Sequence, residues 1–106
     1  MKLWLISQDE NDGYDTYDSA VVAAETAEAA VLIHPSGFAC AGWGPLNGVD
    51  TWRGQYSTPH RPDIDKSLYD FGEGGWTEPL SVSVKQIGIA VEGTEAGVIC
   101  SSFNAG

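Results

Sequence analysis

Apolar and polar positions divide this chain into two patterned ends and a middle without a regular period. Residues 2–7 are apolar on both faces of an extended pattern, which predicts a strand inside a sheet rather than at its edge. The turn-forming residues Asn11, Asp12 and Gly13 follow. Because residues 17–24 are again rich in apolar side chains, we expect the chain to return antiparallel as a β-hairpin with an enlarged loop.

A short helix is predicted after this hairpin. The Thr26 hydroxyl can cap the first turn, Glu28 lies where the helix dipole favours a negative charge, and Pro35 follows the last helical position. These signals predict a helix of about two turns over residues 27–34, which is too short to be stable unless it packs on the sheet. His34 is interpreted as a charge that favours the helix C-terminus.

Strand patterning returns in the last third of the chain. Leu80, Val82 and Val84 alternate with polar residues, after which the apolar phase moves by one position. Such a shift is typical of a β-bulge, which we place at Gln86-Ile87-Gly88. Residues 98–103 form the final predicted strand. The sequence therefore predicts an α+β fold of order ββα, long insertion, ββ, which is a mainly antiparallel sheet with one short helix packed on one face.

A single domain is predicted for residues 1–106, with an irregular insertion rich in aromatic residues, glycine and proline at about residues 36–79. The aromatic residues indicate that this segment is folded, and a small hairpin is expected near residues 48–56. Trp43, Trp52 and Trp76 either pack the segment onto the sheet or offer stacking faces to a ligand.

The charge of the chain narrows the choice of partners. Fifteen Asp and Glu residues against five Lys and Arg residues give a net charge of -10. This balance argues against direct binding to nucleic acid and favours a basic protein partner, unless the acidity serves only to keep the protein in solution.

The location of the protein is predicted from features that the sequence lacks. No apolar run approaches the ~20 residues that span a bilayer, and no secretion leader precedes the domain. We therefore expect no membrane contact and a cytoplasmic location. Cys40 and Cys100 are expected to be buried free thiols in such a setting, although a disulfide between them stays open.

The connection at residues 9–19 is the strongest candidate for a site. It contains Asp9, Glu10, Asp12, Asp15 and Asp18 together with Tyr14 and Tyr17. On a regular strand Asp15, Tyr17 and Ser19 would share one face, and a phenol beside a carboxylate and a hydroxyl suits a small polar ligand. A cross-strand aromatic pair with exposed acids explains the same residues without a ligand.

No metal, cofactor or catalytic group is predicted. The acidic connection has the wrong residues at the first and last ligand positions of a calcium loop, and the histidines and cysteines lack the paired spacing of a zinc site. Neither a nucleophile motif nor a phosphate-binding loop is present. A phosphate-bearing ligand would need cations, for which Arg53, Arg61 and Lys85 are the candidates.

Both ends of the chain resemble a known family. The stretch GYDTYDSAVV at residues 13–22 and the ending GVICSSFNAG at residues 97–106 are similar to segments of a family of short uncharacterised proteins found in bacteriophages and prophages. The resemblance does not extend to the insertion. Because small accessory phage proteins of this kind often counter host defences, the resemblance implies a counter-defence protein that acts in the host cytoplasm.

Three mechanisms are compatible with this resemblance. In the first, which we favour, a homo-oligomer sequesters a nucleotide-derived immune signal of the cyclic nucleotide or cyclic ADP-ribose type. Its expected ligand-binding residues are Tyr14, Asp15, Tyr17, Asp18, Ser19, Trp76, Phe103 and Asn104. In the second, the acidic surface mimics nucleic acid and blocks a basic groove of a host defence nuclease. In the third, the chain is a small enzyme that modifies a nucleotide or a sugar.

Overall fold

Residues 1–10, 13–55 and 68–104 are described by the computed structural model of this chain. In chain order their elements are β1 (Lys2–Ser7), β2 (Thr16–Ala24), α1 (Ala27–Ala30), β3 (Gly42–Leu46), β4 (Val49–Gln55), β5 (Leu68–Gly72), a 3-10 turn (Pro79–Ser81), β6 (Ser83–Ile89) and β7 (Gly97–Asn104). All strand pairs among these elements are antiparallel. The expectation of a mainly antiparallel fold with one short helix is confirmed.

The two ends of the chain form a four-stranded sheet in the order β6-β1-β2-β7. The interior position predicted for the first strand is confirmed, since β1 has a neighbour on each side. The predicted bulge is also confirmed, because Gly88 pairs with Leu3 while Gln86 pairs with Trp4, which leaves Ile87 as the extra residue. Since β6 and β7 are the two edge strands, the connection between them crosses the end of the sheet.

The middle segment contains a three-stranded sheet in the order β3-β4-β5. Strands β3 and β4 are joined at Asn47 and Gly48, whose φ angles of 54° and 83° match a tight hairpin turn. The turn therefore lies just before the predicted hairpin at 48–56, and β4 fills most of that range. Sequence periodicity missed these strands because β3 contains Gly42, Gly44 and Pro45.

One apolar core joins the two sheets. The four-stranded sheet contributes Trp4, Ile6 and Val22, while Trp52 on β4 and Trp76 after β5 enter from the middle segment. The indole N–H groups of Trp4 and Trp52 donate hydrogen bonds to the carbonyls of Ala24 and Thr77, at 3.0 and 2.9 Å. The interpretation of at least two middle-segment tryptophans as packing residues is confirmed, since Trp52 and Trp76 are fully buried.

Two element boundaries differ from those expected. The helix α1 is a single turn, capped as predicted by the Thr26 hydroxyl, which accepts a hydrogen bond from the Ala29 N–H at 3.1 Å. Leu80 lies in a 3-10 turn rather than a strand, and 95% of it is exposed. Pro79 explains this second difference, because proline lacks the N–H that a strand ladder needs.

Both cysteines are free, but Cys40 and Cys100 are exposed rather than buried as expected. Cys100 lies on β7 opposite Val21, on the side of the sheet away from the core. None of the described helices is long and apolar enough to cross a membrane.

Candidate functional site

The connection between β1 and β2 forms an acidic end of the four-stranded sheet. This acidic end consists of the exposed residues Asp9, Glu10, Tyr14, Asp15 and Asp18. The Tyr14 side chain is 77% exposed. An exposed tyrosine in an acidic segment is a suitable anchor for a protein partner, because tyrosine supplies a large contact area at low entropic cost. Asn11 and Asp12 lie outside the described residues.

The backbone of the acidic end is held by hydrogen bonds from several directions. The Thr16 hydroxyl donates to the Gly13 carbonyl at 2.7 Å, and the Tyr17 N–H donates to the Gly75 carbonyl at 2.8 Å. The Gln8 side-chain amide donates to the Tyr17 carbonyl at 2.8 Å. Asp15 has a φ of 59°, in the left-handed region. These bonds hold the start of β2 against Gln8 and Gly75.

Gly75 is the residue whose substitution should disturb the acidic end most. A Cβ at this position would lie 2.5 Å from the Asp15 carbonyl oxygen, and Gly75 has a φ of +77°. Gly37 has the same φ but nothing within 4 Å of its Cβ position, which makes it a matched control. We expect Gly75→Ala to lower the free energy of unfolding by ~1 kcal/mol more than Gly37→Ala in urea titrations. Equal losses would show that the contact with Asp15 is unimportant.

Strands β2 and β7 bring several expected ligand-binding residues together. Tyr17 is directly opposite Phe103, and Thr16 is opposite Asn104. The Tyr17 and Phe103 rings lie 4.7 Å apart between centroids, and the other side of Tyr17 meets the His34 ring at 6.0 Å. The tyrosine is therefore half of a cross-strand aromatic pair, while Asp15 and Asp18 are exposed.

Ser19 does not share a face with Tyr17, contrary to the expectation. The pairing passes from Tyr17–Phe103 to Ser19–Ser102, so Asp18 is the extra residue of a second bulge. Tyr17 and Ala20 both pack on the core side of the sheet. Ser19 therefore points to the opposite side, which carries Leu3 and Leu5 and is called the outer face below. The bulge thus separates residues that a regular strand would group.

The remaining expected contacts are dispersed. Trp76 is fully buried in the core, where it offers no exposed ring face to a ligand. Arg53 lies on β4, where its side chain packs under Gly44 and its Nη2 atom is 3.5 Å from the Ala41 carbonyl. Lys85 lies on β6. Arg61 is outside the described residues. The described cations among the expected phosphate contacts therefore belong to different sheets.

His34 is the buried polar centre that the sequence reasoning missed. It is 1% exposed, its Nε2 donates to the Glu73 carbonyl at 2.8 Å, and its Nδ1 accepts from the Ser36 N–H and hydroxyl at 3.1 and 2.8 Å. Burial lowers the pKa of the imidazole, although the Glu73 carbonyl partly opposes this. A charged helix cap is therefore the wrong interpretation. Ser36, placed two residues after the histidine, was the available signal.

Two clefts lie away from the acidic end, and none of its residues lines either of them. One, of about 320 Å³, lies between the segment after α1 and the start of β7, and includes His34, Cys40 and Val98. The other, of about 310 Å³, lies on the outer face beside Leu3, Val91 and Ile99. No group of three or more His, Cys, Asp or Glu side chains that could hold a metal ion occurs in residues 1–10, 13–55 and 68–104.

The acidic end is thus an exposed, negatively charged surface with an exposed aromatic ring, and it lines neither of these two clefts. Such a surface suits contact with another macromolecule better than enclosure of a small one. Comparison with known proteins adds no relative to this picture, since no family model, curated protein or solved structure matches the chain.

Proposed function

We propose that this protein is a counter-defence binding protein that docks its acidic end on a basic surface of a host defence nuclease and so keeps nucleic acid from that surface. The observation that carries the proposal is the exposed Tyr14 among carboxylates on a fixed backbone. The phage setting rests on the family resemblance of residues 13–22 and 97–106.

The charge distribution supports a basic partner. The net charge is -10, and the acidic end contains carboxylates but no lysine or arginine among its described residues. A basic groove that normally attracts phosphates would attract such a surface by the same long-range field. The hydrogen bonds of Thr16 and Tyr17 also reduce the conformational entropy that this part of the surface loses on binding.

The use of the aromatic residues favours surface contact over ligand capture. Tyr17 and Phe103 pack on each other, and Trp76 is enclosed in the core. A nucleotide would need an exposed ring face on which to stack and cations for its phosphates. Tyr14 keeps its ring exposed, but its neighbours are carboxylates, which repel phosphate.

Neutralising part of the acidic end should weaken inhibition of a nuclease. The test titrates the protein against DNA cleavage by a purified RNA-guided nuclease with a basic nucleic-acid channel. We expect the Asp9→Asn/Asp18→Asn variant to need about tenfold more protein for half inhibition, with the wild-type effect weakening as salt is raised. The Glu92→Gln/Glu95→Gln variant carries the same charge change at the opposite end of the sheet. If both variants lost inhibition equally, inhibition would depend on the net charge of the protein and not on the acidic end.

Sequestration of a nucleotide-derived signal is the second candidate. The pairing of β2 with β7, which sets Tyr17 beside Phe103 and Thr16 opposite Asn104, favours it. Cyclic nucleotides and cyclic ADP-ribose isomers would then raise the melting temperature of the wild type and not that of Tyr17→Ala/Asp18→Ala. Such a result would favour sequestration over the proposal that the protein docks on a nuclease. Recovery of a chemically altered nucleotide would instead indicate an enzyme.

A further inference from the structure

The outer face of the four-stranded sheet has no covering layer among the described residues. The helix α1 and the three-stranded sheet pack on the opposite face, with Trp4 and Ile6. Within residues 1–10, 13–55 and 68–104, the connection between β6 and β7 meets the outer face at one end, where Val91 and Thr94 line the smaller cleft. Leu5 and Val21, in the middle of this face, remain half-exposed.

Strand register arranges the outer face in rows that cross all strands of the sheet. One row consists of serine alone, with Ser83, Ser7, Ser19 and Ser102 in sequence from β6 to β7. Small hydroxyl side chains keep this part of the face flat and able to hydrogen-bond. A flat pleated surface fits a second sheet at the usual face-to-face spacing of about 10 Å.

The next rows are mostly apolar and free of carboxylates. The middle row is Lys85, Leu5, Val21 and Cys100, and the row beyond it is Gly88, Leu3, Ala23 and Gly97. Ala23 is already fully buried. Ile89, Val91 and Ile99 border this end and are 78, 80 and 52% exposed. In a chain of net charge -10, the only ionic side chain in these rows is Lys85.

We infer that the outer face binds the outer face of a second copy, which gives a symmetric dimer with the two sheets stacked. The three rows carry no carboxylate, which makes a second copy the best-fitting occupant, because elsewhere two copies of so acidic a chain repel each other. Glu92 and Glu95 lie on the connection at one end of the face, where they are exposed to solvent. A basic partner would find no opposite charge in the three rows. In a symmetric dimer each part of the face meets the same part of the second copy. The serine row can therefore contact the serine row of the other copy, and the apolar side chains can contact each other.

The size of the face sets the strength of this dimer. Four strands of about six residues cover roughly 19 by 20 Å, or about 400 Å² in projection for each copy, and the bordering isoleucines and Val91 add to it. Stable interfaces bury about 800 Å² of accessible surface per partner. The dimer is therefore at the weak end of specific complexes, with a dissociation constant in the micromolar range.

Sedimentation equilibrium under reducing conditions tests the dimer. The average mass of the wild type should rise from the monomer mass of 11.3 kDa towards twice that value between low and high micromolar concentration. Cys100→Asp adds a carboxylate to an exposed position on the face and should raise the dissociation constant at least tenfold. Ser102→Asp is a second such variant. Cys40→Asp, at the other exposed thiol, should dimerise like the wild type.

Three results would overturn the inference. The first is a wild type that stays at 11.3 kDa at the highest concentration. The second is equal dimerisation of folded Cys100→Asp, Ser102→Asp and Cys40→Asp, with folding checked by circular dichroism. The third concerns Lys85→Glu, which alters the far strand of the face. If it leaves the dimer intact while Cys100→Asp breaks it, the copies pair through the β7 edge rather than through their faces.

Discussion

Replacing Trp52 with alanine is expected to lower the free energy of unfolding by about 3–5 kcal/mol, which is close to the whole stability of a domain of this size. The Trp52 ring is fully buried, and it meets the rings of His34 and Trp43 edge to face at 5.2 and 5.6 Å. Its N–H also donates to the Thr77 carbonyl. The substitution removes the ring that joins the two sheets and leaves both a cavity and an unpaired carbonyl.

Urea denaturation followed by circular dichroism measures this loss. Trp43→Ala is the matched control, because Trp43 lies directly opposite Trp52 on β3 but is only half-buried. We expect the Trp43 variant to lose less than half as much stability. Similar losses for both variants would mean that the two sheets are not joined through Trp52.

Stability should fall when the pH is lowered below about 6.5, the range in which an unfolded histidine gains its proton. Burial holds the pKa of His34 below its usual value, so the folded protein resists protonation while the unfolded chain takes up a proton. The contribution of His34 is therefore complete above the unfolded pKa and is lost as the pH falls towards the folded pKa. A single group gives a slope of at most about 1.4 kcal/mol per pH unit.

Melting temperatures between about pH 7.5 and 5.5 reveal this slope before most carboxylates titrate. The measurement uses a His60→Gln background, in which His34 is the only histidine. The further change His34→Gln should flatten the profile, at the cost of a lower melting temperature throughout because the Glu73 and Ser36 contacts are altered. A slope that persists without His34 would assign the pH dependence to other groups.

Local patterns in the sequence predicted the strands of the four-stranded sheet, except that Leu80 lies in a 3-10 turn. The apolar character of residues 2–7 on both faces predicted the interior position of β1, and the phase shift near Ile87 predicted the bulge. Each signal lies within one strand and reflects burial of that strand alone. The three-stranded sheet escaped prediction because its glycines break the alternation that marks a strand.

The candidate site depended on contacts that a local pattern does not contain. The Asp18 bulge that turns Ser19 away from Tyr17 is set by pairing with β7, far along the chain. His34 is buried through Glu73, which is 39 positions away, as well as through Ser36 nearby. The acidic end itself was visible in the sequence, but its support by Gly75 required the fold.

We propose that the acidic end binds a basic protein rather than a small molecule. The most direct test purifies the tagged protein at low salt from bacteria that carry an active nuclease defence, and identifies both proteins and small molecules in the eluate by mass spectrometry. We predict a basic nuclease that is retained by the wild type and by Glu92→Gln/Glu95→Gln, is lost from Asp9→Asn/Asp18→Asn, and is released by salt. The proposal would be contradicted if the wild type retained no protein but carried one nucleotide per chain, and if Tyr17→Ala lost that nucleotide.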